Sequence, residues 1–114
     1  MNKGKLSEKL VENFLVKNGY EILDKNFRFS KMGEIDIVAL KKDKIHCIEV
    51  KSGKFMLWEK ITSKKFRNIK RTFQIWLKLH SFKYKDLDHE IDLAQVKIFK
   101  KKYKIKILHN ITKN

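Results

Sequence analysis

Proline is absent from this sequence, glycine occurs four times and cysteine once. Without a Pro-rich or Gly-rich stretch there is no linker, so residues 1–114 read as one domain, able to bury a single core between two packed layers. The lone Cys47 excludes an intrachain disulfide and a cysteine-built zinc site. Set in an apolar run, it reads as a small buried hydrophobe. No apolar stretch approaches the ~18 residues of a membrane span. No signal-like apolar core follows the N-terminus, so the cytoplasm is the expected compartment. Arginine is scarce too: among 28 basic residues only Arg28, Arg67 and Arg71 are arginines.

What is present is positive charge, +15 net. That implies an anionic partner, nucleic acid before a membrane surface. The bias toward lysine, isoleucine, asparagine and phenylalanine is also what an AT-rich coding sequence produces, so part of the charge reflects composition. The 42% apolar fraction is that of a globular chain.

Periodicity orders the chain. Leu6, Leu10, Val11, Phe14 and Leu15 recur at helical spacing over residues 5–18, and Asn18-Gly19 ends that helix. Residues 20–29 read as a strand bent near Asp24-Lys25-Asn26. Residues 34–40 and 45–51 form two strands of a hairpin. A second helix runs from Thr62 or Ser63 to His80, with Phe66, Ile69, Phe73, Trp76, Leu77 and His80 as its core stripe. Residues 81–88 read as a polar loop. Strands follow over 89–100 and 103–109, then a frayed end. The expected architecture is α/β, a mixed sheet with helices packed on it.

The chemistry concentrates between Gly33 and Lys51. Strand alternation puts Glu34, Asp36 and Val38 on one face and Ile35, Ile37 and Ala39 on the other. In the next strand Cys47, Glu49 and Lys51 share a face. A hairpin about residues 41–44 sets Asp36 opposite Glu49 and Glu34 opposite Lys51, with Cβ atoms about 4.5–5.5 Å apart. Two ionised carboxylates at that spacing repel unless a cation joins them. Oxygen ligands select a hard ion, Mg²⁺ or Mn²⁺. Such an ion can polarise a phosphodiester and acidify a bound water, with Lys51 placed to orient that water or balance charge. The bland alternative is a set of cross-strand salt bridges on a solvated face.

Asp36…Glu49-Val50-Lys51 resembles the PD-(D/E)xK nuclease motif. The chain as a whole resembles the YraN-like family of small bacterial predicted endonucleases, akin to Holliday-junction resolvases. The match rests on Gly4 and Glu8, Gly19-Tyr20, Asn26-Phe27-Arg28, Gly33-Glu34-Ile35-Asp36-Ile37, Glu49-Val50-Lys51, a lysine at Lys64 or Lys65, and Ile91-Asp92-Leu93. It implies a restriction-endonuclease-like αβββαβ core with an extra C-terminal strand. Asp36 and Glu49 would bind metal, Lys51 would be the catalytic lysine, and Glu34 an associated acid. Glu8, a surface residue on spacing alone, would become a further site acid. Ser7 and Glu90 depart from the family pattern, which tends to glycine and arginine there.

Lys64, Lys65, Arg67 and Arg71 form a candidate phosphate-contacting face, or simply a solvated one. Trp58 could stack on a base or pack. His46, His80, His89 and His109 show no ligand spacing and read as structural or surface residues. The expected function is metal-dependent endonuclease action on DNA, with branched or structured DNA as a candidate substrate and a homodimer as a candidate assembly. The rival is a catalytically silent nucleic-acid-binding module of the same fold.

Overall fold

The computed structural model describes residues 3–53 and 61–112. Trp58 lies outside them. The chain runs α1 (Lys3–Lys17), β1 (Glu21–Arg28), β2 (Glu34–Lys41), β3 (Lys44–Ser52), α2 (Ser63–Leu79), α3 (Ser81–Tyr84), β4 (Asp88–Phe99) and β5 (Lys102–Leu108). The short α3 replaces the expected loop: the amides of Tyr84 and Lys85 donate to the carbonyls of His80 and Ser81, one helical turn back.

The five strands lie in chain order across one sheet. Neighbours pair antiparallel except β3 and β4, which are parallel. A parallel pair needs a crossover, and α2 lies within it. The mixed sheet flanked by helices therefore agrees with the α/β architecture expected, including the added C-terminal strand. Among the described residues, no helix is long and apolar enough to cross a membrane.

The two long helices, α1 and α2, each cover a cluster of their own. Val11 and Leu15 of α1 pack with Ile37, Ala39, Ile48, Ala94 and Val96. Phe66, Ile69, Phe73 and Trp76 of α2 pack with Ile35, Val38, Ile45, Cys47 and Leu93. Cys47 is a buried core residue, as expected. Two details of α1 differ from its periodicity. Leu6 is exposed and Ser7 takes the buried place, because the buried face runs Ser7, Val11, Leu15 at spacings of four.

Strand alternation also fails at one point. Ile35 packs in the α2-side cluster, while Ile37 and Ala39 pack under α1. The break falls at Asp36. On β1 the register shifts between Ile22 and Asp24, opposite Ala39 and Val38, and Asn26 is the residue that falls opposite Asp36. Asn26 then adopts a left-handed φ of 54°. Such irregularities add twist and re-aim neighbouring side chains. Gly33, with φ 151°, leads into β2 under α2; a Cβ there would lie 3.7 Å from Asn68 Cβ.

Candidate active site

The β2–β3 ladder has the expected register, from Lys41↔Lys44 to Ile37↔Ile48. At the next step Asp36 intervenes, its Oδ2 accepting the Val50 N–H at 2.8 Å. A side chain takes over where the backbone pairing stops, fixing Asp36 against the end of β3. Glu34 does not face Lys51 as expected. It pairs with Arg28 across β1, and the Arg28 Nη2 donates to its Oε2 at 3.1 Å. The reason is the same break: β2 follows β1 where it leaves β3.

Even so, these side chains converge. Gly4, Ser7 and Glu8 of α1, Glu34 and Asp36 of β2, Glu49, Val50, Lys51 and Ser52 of β3, and Lys65 of α2 line one cavity of about 270 Å³. Glu8 is held there by the Asn26 amide, which donates to its Oε1 at 2.7 Å. The positive φ of Asn26 thus serves a contact, and asparagine tolerates that conformation well. All five acidic and basic residues expected at the site line the cavity.

Its electrostatics are under tension. Glu49 is 3% exposed, and its Oε2 has no hydrogen-bond partner. Burial pushes its carboxyl well above the usual range, and the Asp36 charge pushes it further. Burial also raises Asp36, against the lowering effect of the Val50 N–H. Burial lowers the Lys51 amine, and Lys65 beside it adds to that. A second buried atom, Ser7 Oγ, is also without a partner. Buried polar atoms are rarely left this way, and a water or an ion in the cavity would satisfy both.

The donor set suits a hard dication. Asp36 and Glu49 offer carboxylate oxygens side by side, and Mg²⁺ favours one or two protein carboxylates with water or phosphate completing the shell. Lys65 reaches the cavity, whereas Lys64 lines a neighbouring hollow with Met32, Gly33 and Asn68. Lys64, Lys65, Arg67 and Arg71 are all exposed. Lys64, Arg67 and Arg71, at spacings of three and four, follow one stripe of α2.

Comparison with known proteins places the chain. The sequence profile described as "Uncharacterised protein family UPF0102" matches residues 7–105. The chain belongs to this family. A UPF0102 protein of Alkaliphilus oremlandii is 38% identical over 116 residues, covering 96% of this chain and 98% of its own length. One from Helicobacter pylori strain HPAG1 is 41% identical, covering 96% and 90%. One from Campylobacter fetus is 35% identical, covering 92% and 88%. The YraN-like resemblance is thereby met at family level. The matched span of UPF0102 takes in Glu8, Glu34, Asp36, Glu49 and Lys51.

A second group was not legible from histidine spacing. His46, Glu90, Asp92 and His109 each offer a ligand atom, all within 4.8 Å of one another. Among the described residues this is the one group of three or more such side chains close enough to share a metal ion. The parallel register sets His46 beside Glu90, and the antiparallel β4–β5 pairing leads His109 to Asp92. The Glu90-x-Asp92 alternation was the available signal; the histidines reach it only through long-range pairing.

Proposed function

We propose that this chain is a metal-dependent endonuclease acting on DNA, branched or otherwise structured. The observation that carries the reading is the Glu49 carboxylate, buried with an unpartnered oxygen beside Asp36, in a cavity that also holds Lys51. Asp36 and Glu49 would hold Mg²⁺ or Mn²⁺, with Glu8 and Glu34 at the cavity edge. When bound, such an ion polarises the phosphodiester and acidifies an attacking water.

The chain's own residues supply the rest. Val50 N–H and the backbone of β3 fix the Asp36 carboxylate. Asn26 fixes Glu8. Lys51, whose amine burial shifts below its ordinary value, would orient the water or donate to the developing phosphorane charge. Lys65 in the cavity, and the stripe of Lys64, Arg67 and Arg71 outside it, would grip the flanking phosphates.

The test is incubation with branched, flapped and linear DNA, in Mg²⁺, in Mn²⁺ and in chelator. Cleavage is expected only with metal, and is expected to be lost in Asp36→Asn and Lys51→Ala while DNA binding persists. Binding without cleavage of any of these substrates would favour the silent binding module, which the +15 charge alone would serve. Cleavage untouched by both substitutions would place the chemistry elsewhere.

A further inference from the structure

We propose that His46, Glu90, Asp92 and His109 form a structural binding site for a zinc-class dication, separate from the Asp36–Glu49 cavity. His46 Nδ1 lies 2.7 Å from Asp92 Oδ2 and 3.4 Å from Glu90 Oε2. His109 Nδ1 lies 3.1 Å from each of the same two oxygens. Two imidazole nitrogens and two carboxylate oxygens thus alternate around one small centre. In a tetrahedral zinc site with bonds of about 2.0–2.1 Å, neighbouring ligand atoms sit about 3.3 Å apart. A tetrahedron has six such edges, and of its four nitrogen–oxygen edges three are already close to that length. The fourth needs to open by roughly half an ångström.

The outer atoms are held as a metal site requires. Asp92 Oδ1 accepts the Asn110 N–H at 2.9 Å. Glu90 Oε1 accepts from Lys44 Nζ at 3.1 Å. Both carboxylates are therefore anchored by one oxygen and turn the other toward the histidines. Asp92 is fully buried and His46 is 6% exposed, so a dication there would be well shielded from water. The His109 side chain is about half exposed and opens onto a hollow shared with Tyr20, Lys41 and Lys44, which provides an entry path.

The donor chemistry sets this site apart from its neighbour. Imidazole with carboxylate suits zinc and related transition metals, whereas a carboxylate pair suits Mg²⁺ or Mn²⁺. On β3, His46 and Glu49 are three residues, about 10 Å, apart and leave opposite faces. With four protein ligands the site is closed, the pattern of structural zinc. Its effect would be to fasten the residue after β5 to β3 and β4.

The test uses the full chain, stripped by chelator and dialysed, titrated with Zn²⁺ alone and with Co²⁺ alone. One equivalent is expected to bind, to raise the melting temperature, and with Co²⁺ to give the intense visible absorption of four-coordinate geometry. His109→Ala changes an exposed side chain and leaves the core intact; it should weaken binding at least tenfold and remove the thermal shift. Glu90→Gln, of equal shape, should do likewise. Asp36→Asn should leave Zn²⁺ binding unchanged. Absence of saturable binding, or binding kept in His109→Ala and Glu90→Gln but lost in Asp36→Asn, would overturn the proposal.

Discussion

At Glu49 a carboxylate is buried beside Asp36, and ionising it there opposes the fold. Both carboxyls have folded pKa values raised by burial. The sign follows. Their contribution to stability is complete below the unfolded carboxyl value, near pH 4.3, and is lost as pH rises through the raised folded values. Without divalent ions the protein should therefore lose stability from about pH 4.3 upward. Glu49→Gln cannot ionise and should flatten that decline; thermal melts from pH 4 to 8 in chelator check it, and parallel profiles would contradict it. At pH 8, Mn²⁺ at a hundredfold excess over its Kd should restore about 2.7 kcal/mol in the wild type. Asp36→Asn should respond much less. A second expectation concerns Asn26. Asn26→Gly keeps the left-handed backbone but releases Glu8, so stability should shift by under about 1 kcal/mol. DNA cleavage, by contrast, should fall tenfold or more if Glu8 acts where Asn26 holds it.

At the scale of elements, α2 is the most informative segment. Its hydrophobic stripe was legible because one face is buried and the other is largely basic. Thr62 caps it, Oγ1 accepting the Lys65 N–H at 3.0 Å. Thr62→Ala should cost about 1 kcal/mol and loosen the turn that carries Lys65 into the cavity. Trp76 is buried, and its indole N–H donates to Asp24 Oδ2 at 2.9 Å, tying α2 to the bend in β1. Trp76→Ala should cost about 3–5 kcal/mol in urea melts. The strands were legible for a similar reason, through alternation and the hairpin at residues 41–44. What alternation could not show was the break at Asp36, which falls opposite the left-handed Asn26 of the neighbouring strand. Nor could local pattern show the four-residue α3, too short for periodicity. The convergence of His46 with His109 depends on two pairings, one of them parallel and spanning a helical crossover. No spacing along the chain encodes that.

Over the whole molecule the excess of lysine and arginine would govern encounter with the proposed DNA substrate. DNA binding should weaken steeply with salt, and each phosphate contact removed should lower the log–log slope by about 1. Substituting Lys64, Arg67 and Arg71 together should thus reduce the slope by about 3, measured by fluorescence anisotropy across a salt series. An unchanged slope would place the phosphate contacts on another surface. The same charge has a use at the sheet's two margins. The outermost strand β5 exposes Lys102, Lys104 and Lys106 while Ile105 and Ile107 turn to the core. At the far margin β1 is broken by its register shift and by Asn26. An open strand margin invites a second copy to zip onto it, and repelling ammonium groups or a kinked backbone prevent this. The ordering of the strands, each beside its neighbour in the chain, leaves those two margins at the ends of the sheet, and both are blunted against self-association into fibres.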